Sequence, residues 1–166
     1  MALLTRMTTR DTWSEMESAA LHRYFDGLQL ATSERDRFTG ALYVLGYAAE
    51  MLVKTAYYRF RGVGPSADVT RELNGMRDRA VALGLLWRGN KHNLESLAAL
   101  LVLERMAQGS AMDPVFAAQF QARISGVAAH WSEVLRYKGV VTLESELAEV
   151  FGSVDWLLAN HAHLWS

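Results

Sequence analysis

The segment from Phe38 to Arg61 constrains the fold more than any other part of this chain. One side of its helical wheel is an apolar stripe of Phe38, Ala41, Leu42, Leu45, Ala49, Leu52, Val53, Ala56 and Phe60. The opposite side is mixed, since it carries Tyr43, Tyr47, Glu50, Lys54, Tyr57, Tyr58 and Arg61. Tyrosine can bury its ring while its hydroxyl stays hydrogen-bonded. The pattern therefore predicts a long helix that is enclosed on two sides, by its own bundle and by a neighbouring chain or layer.

Helical periodicity fills most of the remaining chain, which has only two prolines and no sustained alternation of apolar and polar residues. Start signals are a capping box at Thr12 and Glu15, an N-cap at Asn93, and Asp113 followed by Pro114. We predict helices over about Thr12–Leu28, Ser33–Arg61, Asp68–Leu83, Asn93–Gln108, Asp113–Tyr137 and Leu143–His161. These elements predict an all-α, up-and-down helical bundle with four core helices plus one or two additional helices.

Composition narrows the class of protein. A chain of 166 residues fits one domain, which we assign to residues 1–166, with residues 1–10 flexible and residues 62–91 as an insertion or mobile region. The net charge of −1 and the lack of a basic block give no general electrostatic attraction to nucleic acid. The absence of cysteine excludes disulfides and thiolate chemistry. With no long apolar run and no secretory signal pattern, we expect a cytoplasmic protein without a membrane span.

Glu50 and Lys54 lie one helical turn apart and leave two interpretations open. As an exposed ion pair they would contribute only about 0.2–0.5 kcal/mol to helix stability. As a partly buried pair they would face another helix or a second subunit. Both interpretations, the exposed pair and the partly buried pair, fit the sequence.

Three local motifs resemble those of the HEPN superfamily of helical domains. The first is A-A-E-x-x-x-K on the long second helix, from Ala48 to Lys54. The second is H-N-L-x-x-L, which opens a later helix at His92. The third is W-x-x-x-x-R-Y, formed by Trp131, Arg136 and Tyr137. Their order and spacing agree with the family over roughly residues 28–161.

The resemblance implies a bundle of four core helices that forms a homodimer. It also implies a role in RNA or nucleotide biology, in toxin–antitoxin or defence systems, or as the partner of a small nucleotidyltransferase. From the motifs and the mixed helix face, we predict that the binding or interface residues are Tyr43, Tyr47, Glu50, Lys54, His92, Arg136 and Tyr137. We expect no metal and no cofactor, because five histidines and no cysteine give no recognisable ligand spacing.

Ribonucleases of this family carry an arginine and a polar residue, then four to six residues and a histidine. Such a pair would combine acid–base chemistry with stabilisation of charge on the phosphate. Arg88 and His92 have only three residues between them, and Arg136 has no histidine at this distance. Arg123 and His130 have the right spacing, but Ile124 replaces the polar residue.

Arg123, His130 and Tyr137 are seven residues apart, which aligns them along one edge of the predicted fifth helix. They would either form a polar cleft across a dimer axis or lie at the border of the core, with buried side-chain stems and polar ends in solvent. The alternative to a binding role for His92 is a local turn or capping contact at the start of its helix. His161 is expected to be a hydrogen-bonded core residue.

Three functional hypotheses follow from these observations. The first is a HEPN-like dimer with a binding or regulatory role. The second is an endoribonuclease that uses Arg123 and His130. The third is a helical scaffold without a connection to nucleotides.

Overall fold

A computed structural model describes residues 11–32, 37–139 and 142–166, and this part of the chain is a bundle of seven α-helices without β-strands. The helices are α1 Trp13–Ala31, α2 Phe38–Phe60, α3 Thr70–Ala82, α4 Leu94–Ala107, α5 Pro114–His130, α6 Glu144–Ala159 and α7 His161–Trp165. A 3₁₀ helix, Glu133–Tyr137, follows α5. The all-α helical bundle predicted from periodicity is confirmed. No helix of the described residues combines the length and the apolar character that a membrane span needs.

The N-cap predictions are confirmed at three helices. The Thr12 hydroxyl accepts a hydrogen bond from the backbone amide of Glu15, and the Asn93 side chain accepts one from Ser96. The Asp113 carboxylate accepts from the amides of Val115 and Phe116, with Pro114 as the first helical residue. Each contact serves amides that a helix leaves without an internal partner. The predicted start of α2 at Ser33 lies outside the described residues.

Helix α2 is the centre of the bundle, since α1, α4, α5, α6, α7 and the 3₁₀ helix all contact it. Sixteen of its 23 residues are buried, and they lie on both sides of the helical wheel. Tyr57 and Tyr58, on the mixed face, are 2% and 0% exposed. Burial raises the pKa of Tyr57 to about 12, with Glu104 as the next cause. The second covering layer at these two tyrosines is therefore the protein's own chain and not a second subunit.

The segment 62–91 contains α3 and contributes to the core. Val69, Met76, Ala80 and Trp87 are buried. Arg79 of α3 donates to both oxygens of Glu104 on α4, at 2.7 and 3.1 Å. Arg61 donates to the same carboxylate at 2.7 Å. The segment is thus tied to α4 by the Arg79–Glu104 ion pair and to the core by apolar packing.

The predicted fifth helix is too long. Helix α5 ends at His130, because Trp131 and Ser132 adopt extended backbone conformations before the 3₁₀ helix begins. The Trp131 indole lies against the backbone of α2 and donates to the carbonyl of Tyr43 at 3.0 Å. The predicted row of Arg123, His130 and Tyr137 on one helix is therefore wrong at Tyr137.

The C-terminal helix α7 is joined to the core by buried polar contacts. The Arg105 guanidinium donates to the carbonyls of His163, Leu164 and Ser166. His161 Nε2 lies 3.0 Å from the carbonyl oxygen of Leu52 and 3.1 Å from the Thr55 hydroxyl. Burial lowers the pKa of His161, although the Leu52 carbonyl and Glu17 oppose this effect. His161 is thus a hydrogen-bonded residue at the edge of the core.

Candidate functional site

The polar pair of α2 is buried. The side chains of Glu50 and Lys54 are 5% and 6% exposed, and Lys54 Nζ donates to Glu50 Oε1. The spacing of four residues places them on the same side of the helix. Of the two interpretations left open by the sequence, the structure shows the buried pair.

His92 connects this buried pair to the surface. Its Nδ1 lies 2.9 and 3.0 Å from the two carboxylate oxygens of Glu50. Its Nε2 lies 3.6 Å from Oε2 of Glu133, and the side chain is 28% exposed. The result is a continuous chain of polar groups from Lys54 through Glu50 to His92, which then faces Glu133.

The loop before α4 fixes the position of His92. The Asn90 side chain accepts from the backbone amide of His92 at 2.9 Å and donates to Glu133 Oε1 at 2.8 Å. The Trp87 indole donates to the carbonyl of Asn90 at 3.1 Å. Because Asn93 caps α4 directly afterwards, His92 sits at the junction of this loop and the helix.

Trp131 places Glu133 opposite the loop. Its indole packs against Gly46 of α2 and meets the Tyr47 ring edge-on, with centroids 5.3 Å apart. Tyr47 in turn contacts the rings of Tyr43 and His92, with centroids 5.0 and 6.4 Å away. The end of α5 is therefore held on α2 by aromatic packing, and the 3₁₀ helix starts beside His92.

Two clefts lie on either side of a wall that His92, Asn90 and Glu133 form together with Gly89. The smaller cleft has a volume of about 350 Å³ and extends toward Trp131, Ser132 and Glu95. The larger has a volume of about 700 Å³ and extends toward α3. Cavities of roughly 300–1,000 Å³ accommodate small-molecule ligands.

The larger cleft combines positive charge with aromatic rings. Arg77 and Lys91 are exposed and line it, and Glu133 is the one acidic residue among its lining residues. Tyr47 and Trp87 contribute ring surface, while Asn74 and Asn90 contribute amides. An anionic group and a flat ring are the ligand features that such a lining attracts.

The structure brings together five of the residues that the sequence analysis assigned to binding or interface roles: Tyr43, Tyr47, Glu50, Lys54 and His92. Tyr137 is 73% exposed on the 3₁₀ helix, and the side chain of Arg136 lies outside the described part of the chain. Asn90, Arg77 and Glu133 also line the site, and sequence reasoning missed them. No local sequence pattern indicated a role for Arg77. The position of Glu133 beside His92 was missed because we predicted a continuous helix through this residue.

Arg123 and His130 lie on another part of the surface. Arg123 is exposed, and His130 Nε2 is 3.0 Å from Oε2 of Glu149 on α6. Neither residue lines the two clefts beside His92. The structure thus separates the candidate nuclease pair from the buried polar chain.

Glu104 forms a second buried charged cluster, at the junction of α2, α3 and α4. Burial by itself would raise the pKa of Glu104. Hydrogen bonds from Arg79 and Gln108, together with the charges of Arg79 and Arg61, outweigh burial and hold this pKa below its ordinary value. Its carboxylate is already fully engaged by three donors, so the cluster joins three helices and offers no free group to a ligand.

Among residues 11–32, 37–139 and 142–166, no three histidine, aspartate or glutamate side chains are grouped so that they could hold a metal ion. Comparison of the chain with protein-family models, with curated proteins and with solved structures finds no match. The chemistry of the cleft is therefore the basis for a functional assignment.

Proposed function

We propose that this protein is a HEPN-like helical protein that binds a ribonucleotide, free or as part of an RNA chain, in the larger cleft beside His92. Its role in this proposal is binding or regulation, as in toxin–antitoxin or defence systems. The motifs from Ala48 to Lys54 and at His92 support the family resemblance, and both now lie at one site.

The observation that carries the proposal is the buried chain from Lys54 through Glu50 to His92. Removing two charged groups from water costs several kcal/mol per ion, and their attraction seldom gives a net gain in stability. A buried pair that ends on a cleft-lining histidine is therefore better explained by positioning of that histidine than by stability.

The lining of the larger cleft supports a nucleotide as the ligand. Arg77 and Lys91 supply the positive charge that a phosphate needs, and Tyr47 supplies a ring that also packs on Trp131. The amides of Asn74 and Asn90 add hydrogen-bonding groups to the same cleft. A phosphate, a sugar and a flat base together match this combination of groups.

Replacement of Arg77 by glutamine is expected to weaken binding of adenosine 5′-monophosphate by about five- to tenfold, because one charged hydrogen bond to phosphate is lost. Isothermal titration calorimetry at low salt measures the affinity. The matched control is Arg71→Gln, since Arg71 is exposed on the same helix and lines neither cleft. Equal affinity in the Arg77 and Arg71 variants would place the ligand elsewhere.

A short oligoadenylate, titrated in parallel, distinguishes a free nucleotide from an RNA chain. Stronger binding of the oligoadenylate would identify RNA as the natural form of the ligand. Cleavage of the oligoadenylate by the wild type but not by His130→Ala would favour the ribonuclease hypothesis instead.

The homodimer and the small nucleotidyltransferase remain proposals about partners. Since Tyr57 and Tyr58 are covered by the chain itself, the half-buried Tyr43 and Tyr47 are the tyrosines of the mixed face left for a dimer contact. We expect wild-type protein to be a dimer by light scattering and Tyr43→Arg to be a monomer. Tyr43 is preferred to Tyr47 for this test because Tyr47 also lines the larger cleft. An unchanged mass in the Tyr43 variant would exclude this interface.

A further inference from the structure

His92 presents its two ring nitrogens to different surroundings. Nδ1 is directed at the buried carboxylate of Glu50, at 2.9 Å. A neutral imidazole has one nitrogen that donates and one that accepts, and a carboxylate requires a donor. In the neutral ring, Nδ1 therefore carries the proton and Nε2 is a hydrogen-bond acceptor.

Lys54 is the second partner of the Glu50 carboxylate. Its ammonium group compensates the charge of Glu50, so one proton on Nδ1 is enough to satisfy the carboxylate. Without Lys54, Glu50 would lose its ammonium donor, and the carboxylate that orients the His92 ring would be held less firmly. The Lys54 side chain is only 6% exposed, so it affects the cleft through its contact with Glu50 and not by touching the ligand.

The acceptor Nε2 lies beside a second acceptor. Oε2 of Glu133 is 3.6 Å away, and Asn90 already donates to the other oxygen of that carboxylate. Two neighbouring acceptors select a ligand group that donates hydrogen bonds. Phosphate only accepts, whereas a sugar with two adjacent hydroxyls donates twice, and carboxylates bind ribose hydroxyls in other nucleotide sites.

We propose that His92 Nε2 and the Glu133 carboxylate accept hydrogen bonds from the ribose hydroxyls of the bound nucleotide, and that Lys54 is a positioning residue for this contact. The inference rests on the proposed function, since it names the part of the ligand that this wall recognises. It makes the site selective for ribonucleotides over nucleotides without sugar hydroxyls.

The test compares adenosine 5′-monophosphate with its 2′,3′-dideoxy analogue by calorimetry at pH 8. We expect wild-type protein to bind the ribonucleotide about three- to tenfold more tightly, the effect of one or two neutral hydrogen bonds. In His92→Phe this ratio should fall to about one, while Arg77 and Lys91 keep some affinity for both ligands. A ratio of one in the wild type, or an unchanged ratio in His92→Phe, would overturn the inference.

Lys54→Met and Lys54→Arg test the positioning role. The methionine variant should lose the preference for the ribonucleotide, and the arginine variant should retain it, since a residue needed only for folding would not alter the ratio of two affinities. An unchanged ratio in Lys54→Met would overturn the role of Lys54. If circular dichroism shows that this variant is unfolded, Glu133→Gln provides the second variant, and an unchanged ratio there would overturn the role of the wall.

Two further outcomes separate this inference from the proposed function. Binding of both nucleotides with equal affinity overturns only the recognition of ribose, and the nucleotide site stands. Binding of neither nucleotide overturns the proposed function itself. Purine riboside 5′-monophosphate keeps the sugar hydroxyls but lacks the amino group of adenine, and it serves as a third ligand. If it binds as weakly as the dideoxy analogue, the site recognises the amino group, and the inference is overturned.

Discussion

Replacement of Gly46 by alanine is expected to destabilise the protein by about 2–4 kcal/mol. A Cβ atom at Gly46 would lie 2.0 Å from Cδ1 and 2.1 Å from Cγ of Trp131, so the indole must move. The movement breaks the hydrogen bond from the indole to the Tyr43 carbonyl and leaves a buried donor without a partner. These costs exceed the gain of up to about 1 kcal/mol that alanine brings to a helix interior.

Gly40→Ala is the matched control, because it makes the same substitution in the same helix. The nearest atom to a Cβ at Gly40 is Leu30 Cδ1 at 3.8 Å, an ordinary contact. Urea unfolding should show this variant to be as stable as the wild type or slightly more stable. A Gly46→Ala variant with wild-type stability would mean that Trp131 does not pack on α2 as described.

A double-mutant cycle identifies the cause of the Gly46 effect. In a Trp131→Ala background the indole is absent, so Gly46→Ala should cost little or become favourable. The difference between the two backgrounds measures the contact of Gly46 with Trp131. Since Trp131 also packs on Tyr47, which lines the larger cleft, loss of its packing should weaken ligand binding as well as stability.

Removal of Glu50 is expected to have a comparable or larger effect. Glu50→Leu leaves the ammonium of Lys54, only 6% exposed, without its carboxylate, and a buried unpaired charge costs about 3–5 kcal/mol. Lys54→Met should cost less, because His92 remains as a partner for Glu50. The free energy of unfolding from urea titrations measures both effects.

The double variant Glu50→Leu with Lys54→Met should recover most of the lost stability, because no unpaired charge is left and apolar groups fill similar space. The control is Asp26→Ala, which breaks an exposed ion pair with Arg23, both side chains being 51% exposed. That change should cost less than about 0.5 kcal/mol. A Glu50→Leu variant as stable as the Asp26 variant would contradict burial of the pair.

The candidate site was only partly accessible to sequence reasoning. The motifs marked Glu50, Lys54 and His92 as separate features, and the mixed face of α2 marked Tyr43 and Tyr47. Glu50 and His92 are 42 positions apart, and they form one hydrogen-bonded unit only because α4 packs against α2. Glu133 and Arg77 reach the same cleft from two further elements, and neither has a local pattern that predicts such a contact.

The sequence by itself determined the helical class and the starts of α1, α4 and α5, because periodicity and capping depend on residues within one or two turns of each other. It also determined that α2 needs cover on two sides. Only the tertiary structure decided what supplies that cover, where α5 ends and whether Glu50 and Lys54 are buried. The physical reason is distance along the chain, since the Trp131 indole donates to the carbonyl of Tyr43 across 88 positions. Whether α5 continues as a helix or ends so that Trp131 packs on α2 depends on both segments, and neither segment alone predicts the outcome.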